Sequence, residues 1–508
     1  MIRAGTSMPE HMQDKKAGGG SGTGASAEGV DGYRSPLGGR YASAQMQRVW
    51  SARHKFETWR RIWLALASAQ RELGLPVSAE QVEAIRAHLN MTEEDFRRAD
   101  EHERRLRHDV MAHVHALGDA APAARGIIHL GATSQDINCN TEVPLLREAL
   151  DLVCTKVARV IDALGAFAQR HRSLACLGFT HYQAAQPTTV GKRAAMWASD
   201  LALCLERLER TRDTLRLRGV KGATGTQASF LGLFDGDQQK VAALERAVAK
   251  ALGWPEQQVL IATGQTYPRV VDAFVLGDLA ATGAALHKIT GDIRLLCNHK
   301  ELDEPFEAEQ IGSSAMPYKR NPMRCERAAG LCRFVMTLAP GALDTAATQW
   351  LERTLDDSSF RRLALPEAFL ALDGALDLAH NVASGLIVHE GAVRRNLEAE
   401  MPFLASENLM LAAAKLGQDR QEVHEAIRRH AQAAASAVKD QGKPNDLLER
   451  LRTEPLLRGV DFTTVLDPNA YVGLAPEQVD RFVKEVVAPI RARYARGWEA
   501  LGASAPRV

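Results

Sequence analysis

The sequence lacks most of what would tie it to a membrane, a nucleic acid or a metal. No stretch of about 18 uninterrupted apolar residues occurs in its 508 positions, so nothing reads as a membrane span. An excess of one charge is missing too: 63 Lys and Arg stand against 62 Asp and Glu, a formal net charge of +1. That excludes a global positive field for nucleic acid and leaves room for a local anion site. The seven cysteines are odd in number and never spaced C-x-x-C. A disulfide framework and a structural zinc site are thereby disfavoured, and a reducing, cytoplasmic compartment is expected. Aromatic residues are 6% of the chain and alternating β-branched runs are scarce, which argues against sheet. With 45% hydrophobic residues, the chain is not disordered as a whole, and its length predicts two to four domains.

What is present is helical periodicity. Leu146, Leu150, Val153, Val157, Val160, Leu164 and Phe167 recur at alternating steps of four and three. Val190, Ala194, Trp197, Leu201, Cys204, Leu208 and Leu215 repeat the pattern, as do Val275, Leu279, Leu286, Ile289, Ile293 and Leu296. Such spacing places each set on one stripe of a helix, the seam of a bundle. Pro144, Pro187 and Pro268 are read as standing at or just before the starts, and Gly219 as a stop. Each segment is then about 28 residues, ~40 Å long, and needs equally long partners from this chain or from other copies. The expected fold is all-α with three helical domains. Residues 1–32 form a flexible Gly/Ser-rich tail, 33–133 an N-terminal helical domain, 134–388 a central long-helix bundle, and 389–508 a C-terminal helical domain chopped by prolines.

Several segments fit neither surface helix nor core. Residues 310–322, Gln-Ile-Gly-Ser-Ser-Ala-Met-Pro-Tyr-Lys-Arg-Asn-Pro, cannot be a continuous helix, since Pro317 and Pro322 forbid it. From composition it is either a plain surface loop or a lid in which loop amides and Lys319 stabilise a serine alkoxide. The stretch from Thr180 to Thr189, with His181, is rich in hydrogen-bonding groups and is expected at a helix N-terminus, where anions bind. A lone histidine there is more often structural than catalytic. Arg104 to His115 reads as one basic helix with His108 and His115 on a shared face. No carboxylate cluster completes a metal set, so neither metal nor cofactor is expected. Gly219, Gly222 and Gly225 lack the Gly-Lys-Ser/Thr of a phosphate loop. Glu352 to Arg362 mixes arginines and hydroxyls, either as a charged helix face or as a clamp for phosphate or carboxylates.

Gly312-Ser313-Ser314-Ala315-Met316-Pro317-Tyr318-Lys319-Arg320-Asn321-Pro322 resembles the signature loop of the fumarase/aspartase superfamily, G-S-S-x-M-P-x-K-x-N-P. The loop Gly131 to Ser134 and the Thr180-His181 segment are similar to its two other shared regions, in the same order. Arg107-His108-Asp109, the signature loop and Arg353 to Ser358 resemble, within it, the adenylosuccinate lyase family in its animal-type branch. The likeness runs from about Tyr33 to about residue 500. One departure is Ala184, where relatives usually have proline.

The resemblance implies a homotetramer with a central bundle of long helices from four subunits, and active sites shared by three of them. It implies β-elimination of fumarate from adenylosuccinate and from the succinylated aminoimidazole-carboxamide ribotide of purine synthesis. By the same resemblance Ser313 is the base and His181 the acid, with Lys319 and His108 in support. Substrate binding falls to Arg40, Tyr41, Arg107, Asp109, Thr133, Ser134, Gln265, Asn321, Arg327, Arg353, Ser358 and Arg362. Rivals are a sister lyase for argininosuccinate or fumarate chemistry and a catalytically retired scaffold; the intact Ser313, His181, Lys319 and His108 speak against the second.

Overall fold

The structure is a computed structural model and describes residues 32–307 and 309–501; the expected tail lies outside them but for residue 32. Helices dominate it. The N-terminal part holds α1 (Ala44–Val49), α2 (Ala52–Glu72), α3 (Ala79–Ala87), α4 (Glu93–Leu106) and α5 (Asp109–Ala120). Then come α6 (Ser134–Arg170), α7 (Val190–Thr214), α8 (Ala228–Leu233), α9 (Gln238–Ala251), α10 (Val270–Asn298), α11 (Met323–Ala347) and α12 (Asp357–Gly385). Seven shorter helices follow, from α13 (Glu390–Leu404) to a last helix at Ala488–Leu501.

The three stripes are buried as the periodicity predicts. Leu146 to Phe167 on α6, Val190 to Leu208 on α7 and Val275 to Leu296 on α10 all enter one apolar core, with Cys204 alone half-buried. They are buried by this chain itself, since α6, α7, α10, α11 and α12 pack side by side. Of the two sources of cover that the periodicity left open, this chain or other copies, it is this chain that supplies it. Five long helices of one chain suffice, each buried leucine or valine contributing about 1.5–3 kcal/mol.

A second seam remains. On the outer face of α10, Val270, Phe274, Gly277, Ala281, Ala284, Lys288, Gly291 and Leu295 also alternate by four and three. Phe274 is 57% exposed, Leu295 43% and Val270 41%, and a side chain added at Gly277 or Gly291 would meet nothing within 4 Å. Apart from Lys288, the row has large residues at its ends and small ones between, a surface that suits close packing by another helix. By length and composition α10 is apolar enough to cross a membrane, unlike the expectation from uninterrupted runs. Half of its most apolar stretch is buried inside this fold, as in a core helix.

Three local expectations change. Helix α6 starts at Ser134, ten residues before Pro144, because Thr133 and Asp136 form a capping box; Pro144 lies inside the helix. The Thr180–Thr189 stretch leads into α7 as expected, with Thr189 as the N-cap and α7 beginning at Val190, but it does so as a hairpin, β1 (Ala175–Thr180) paired with β2 (Gln183–Thr189). The basic helix breaks at Arg107, which caps α4 in the left-handed region (φ 53°). His108 is instead the N-cap of α5, its side chain turned to the Met111 amide, and the ring of His115 lies 5.2 Å from that of His102.

Candidate active site

Three helix N-termini meet at one cavity of about 690 Å³. Helix α5 brings Asp109, α6 brings Ser134 and Gln135, and α12 brings Asp357, Ser358 and Ser359. Each end presents the positive end of a helix dipole, although the second and third amides of α5 are capped by Asp109 and His108, so their convergence makes an anion site. Arginines complete it: Arg107, Arg269, Arg353, Arg361 and Arg362 line the same wall.

The wall is braced from behind. Arg361 donates to Asp272 (2.5 Å) and to both oxygens of Glu142 (3.2 and 2.9 Å), while Tyr267 Oη donates to Asp272 at 2.6 Å. Burial opposes ionisation of Glu142, but Arg361 and Arg269 outweigh it and hold its carboxyl below the usual range. Arg269 Nε donates to Asp357 Oδ2 at 2.6 Å. The other polar atoms of that pair, Arg269 Nη1 and Asp357 Oδ1, are buried without a hydrogen-bond partner, as is Arg353 Nε. Groups so arranged are primed for a ligand rather than for each other.

Individual residues are held in specific states. His108 Nδ1 accepts from the Met111 amide (3.3 Å), so the ring proton sits on Nε2, which lies 3.4 Å from Ser134 Oγ. In that tautomer Nε2 can donate to Ser134 Oγ. Asp109 accepts from the Val110 amide (2.8 Å) and from Arg362 (2.5 Å). Burial works against its charge, yet these two bonds keep its carboxyl below the ordinary value. Thr133 donates its amide to Asp136 at 2.8 Å, and buried Asp136 also receives the Lys221 and Gly222 amides and Arg218. The glycine-rich 219–225 loop therefore serves as a bracket for the Thr133-Ser134 turn. Arg353 donates to Gln265 Oε1 at 2.9 Å, and Gln135, with its amide oxygen turned inward, accepts both Arg353 Nη groups at 3.0 Å.

Of the residues named from sequence, Arg107, His108, Asp109, Thr133, Ser134, Gln265, Arg353, Ser358 and Arg362 line this cavity. His181, Ser313, Lys319, Asn321, Arg327, Arg40 and Tyr41 are absent from its lining. His181 and Tyr182 form the two-residue tip of the β1–β2 hairpin, both with positive φ (53° and 57°). Such tips normally carry Asn-Gly, so the His-Tyr pair holds an exposed, strained turn. Tyr182 Oη, 3.2 Å from His299 Nε2, ties the turn to the chain just beyond α10. Ala184 pairs with Phe179 next to the closing pair Thr180 and Gln183, the position where a strand loses no ladder bond to proline.

The signature loop occupies residues up to Pro322, as expected, with α11 following at Met323. Asn321 Nδ2 donates to the Gly312 carbonyl at 2.9 Å, and a side chain at Gly312 would collide with the Lys319 carbonyl oxygen. Ser313 Oγ accepts the Met316 and Ala315 amides at 3.1 and 3.4 Å, whereas Lys319 points to solvent. Of the loop amides and Lys319 expected beside the serine, the amides are in contact with it. Arg40 and Tyr41 lie in a short π-helical turn (Leu37–Tyr41), against Gly374 of α12.

Glu142, Arg269, Asn138 and Gln135 belong to the cavity and were not singled out from sequence. The signal was there: Ser134, Asn138 and Glu142 are a polar row at steps of four beside the apolar stripe of α6. Among the described residues no three His, Cys, Asp or Glu side chains gather as a metal-holding set.

Comparison with known proteins points to one family. The family model described as "Lyase" matches residues 39–337, and "Adenylosuccinate lyase C-terminus" matches 402–482. The adenylosuccinate lyase of Schizosaccharomyces pombe is 49% identical over 459 residues, covering 90% of this chain and 95% of its own. That of Saccharomyces cerevisiae is 47% identical over 460 residues, with the same coverage. Among solved structures, the 3-carboxy-cis,cis-muconate lactonizing enzyme of Pseudomonas putida superposes with a TM-score of 0.76 at 26% identity, over 90% of this chain and 99% of that one. A fumarate lyase from Mesorhizobium sp. BNC1 gives 0.75 at 27%, over 88% and 99%.

Proposed function

The chain belongs to the adenylosuccinate lyase family, and from that premise we infer that it cleaves adenylosuccinate to AMP and fumarate. The observation that carries this most directly is the meeting of three helix N-termini with Arg107, Arg353 and Arg362 in one cavity. A nucleotide bearing a phosphate and two carboxylates is the substrate such a wall suits. The succinylated aminoimidazole-carboxamide ribotide carries the same anions and is the second substrate.

The reaction breaks a C–N bond. A base removes the proton on the carbon next to a carboxylate, electrons collect on that carboxylate, and the nitrogen leaves once it is protonated. Ser313 is the base. Its hydroxyl accepts two loop amides, and the same dipoles stabilise the oxygen when it carries charge. His181 is the acid that delivers a proton to the departing nitrogen. His108, with Nε2 turned to Ser134, holds the substrate beside it. Lys319 and Asn321 act on the carboxylate that gains charge, and Arg327 with Arg40 and Tyr41 completes the grip on the substrate.

Because His181 and Ser313 lie outside the cavity of their own chain, the working site is assembled from several copies. The exposed seam of α10 is the surface that supports this. A homotetramer built on it brings the hairpin of one subunit and the signature loop of another to the cavity of a third. The compartment is cytoplasmic, and binding is to small nucleotides.

The test is absorbance during incubation of the purified protein with adenylosuccinate, with argininosuccinate as control. Release of AMP and fumarate from the first alone is expected. Cleavage of argininosuccinate instead, or of neither by a folded oligomer, would overturn the assignment.

A further inference from the structure

Lys55, on α2, lines the cavity described above and lies outside the signature motifs. Its ammonium sits 5.3 Å from the ring of Phe56 and 5.1 Å from that of Trp59, flat apolar walls that cannot accept its protons as a carboxylate would. Among the described residues it makes no hydrogen bond or ion pair. The charged groups that face it are Arg362, Glu142, Asp109 and Glu103. Two of these carboxylates are already engaged: Glu142 by Arg361 and Asp109 by Arg362. Lys55 and Arg362 are therefore two cations held near one another on a cavity wall, beside the N-terminus of α12 with Ser358. Like charges so placed repel until an anion lies between them, and burial adds to the cost of keeping the ammonium charged. A doubly charged group removes both penalties at once.

We propose that Lys55 binds the substrate's phosphate, sharing that dianion with Arg362, Arg353 and the N-terminus of α12. The proposal rests on the lyase reading and extends it to a residue outside the signature motifs. It makes Lys55 a binding residue whose contribution is felt by every phosphate-bearing ligand and by none that lacks phosphate.

The experiment is calorimetric titration of the full-length oligomer with AMP, and with adenosine as the phosphate-free control. Lys55→Met keeps the aliphatic stem against Phe56 and Trp59 and removes the charge. It is expected to weaken AMP about tenfold or more, the scale of one charge-assisted hydrogen bond, while adenosine binding is unchanged. Lys55→Arg is expected to restore most of the AMP affinity, which a role in packing alone would not produce. If Lys55→Met does not fold, Lys55→Gln carries the same comparison. AMP affinity equal to that of the parent, or an equal loss for AMP and adenosine, would overturn the proposal while leaving the lyase assignment standing. A parent protein that neither binds AMP nor cleaves adenylosuccinate would instead remove the assignment on which the proposal rests.

Discussion

The two groups of site residues are built in opposite ways. The cavity group, from Arg107 to Arg362, is tied into its own chain: His108 is a helix cap, Asp109 holds Arg362, Asp136 anchors Thr133, and Arg361 is buried against Asp272 and Glu142. The group proposed to react is at the surface. His181 is at a hairpin tip, and among the described residues Ser313 is held by amides of its own loop. On the proposed reading the difference separates binding from chemistry: paired arginines would select the anion before reaction, and the exposed tips would be delivered to it afterwards by closure and by neighbouring copies, excluding water at the moment of proton transfer.

The largest effect should come from the exposed group. Ser313→Ala and His181→Ala are each expected to lower turnover by about 10³-fold, with melting temperature unchanged, because neither side chain supports the core. If the residues belong to different subunits of one site, mixing the two inactive variants under conditions that exchange subunits restores measurable fumarate release. Mixtures as dead as their parents would place both residues of a site in one chain and break the comparison. Next in size is Phe274→Asp on the outer seam of α10. A charge there is expected to dissociate the oligomer in sedimentation and to abolish activity while far-ultraviolet circular dichroism is retained; an active monomer would show that the cavity needs no partner. The cavity group should respond differently. Arg353→Ala is expected to raise KM by about 10- to 100-fold with a smaller change in kcat, since it removes binding that is made before the transition state. A fall in kcat alone would move Arg353 into the reacting group.

How much of this was legible in the sequence follows the same division. The stripes of α6, α7 and α10 were readable because burial repeats with the period of the helix, and Leu150 or Leu279 could be placed with no knowledge of its partner. Which helices covered them was not readable: partners are a matter of long-range packing, and the choice between this chain and other copies was decided only once α11 and α12 supplied the cover. Local chemistry misled where a cap competed with a proline. Thr133 and Asp136 set the start of α6, and a proline ten residues inward was tolerated. The hairpin at His181 escaped notice because its tip has none of the glycine or asparagine that marks such turns. Site residues carried by a recognisable motif were named in advance. Glu142, Arg269 and Lys55 were not, since each reaches the cavity from an ordinary helical stretch or its edge and is revealed only by what folds against it.

Acid offers the mildest way to probe the same contrast, because the cavity group rests on histidines kept neutral. His113 on α5 is stacked on Phe56 with ring centroids 3.8 Å apart, and burial, then Arg60 and Lys55, lowers its pKa to about 4. His129, just before Thr133, accepts Trp63 Nε1 at 3.2 Å and is lowered to about 4 chiefly by burial. In the unfolded chain both titrate near 6.5. The unfolded state therefore binds more protons between these values. The stabilisation is fully present above about pH 6.5 and is lost as the pH falls towards 4. For His113 the loss by pH 4.5 is about 2 kcal/mol, from a shift of that size. Denaturant midpoints measured at pH 7.5, 5.5 and 4.5 should decline, and His113→Phe, which keeps a ring against Phe56, should decline less steeply. Because α5 carries Asp109 into the cavity, AMP affinity is expected to fall along with the parent's stability and to persist further into acid in His113→Phe. Parallel slopes for the two proteins would mean that the buried ring is protonated without cost, and that the cavity is not held in place by it.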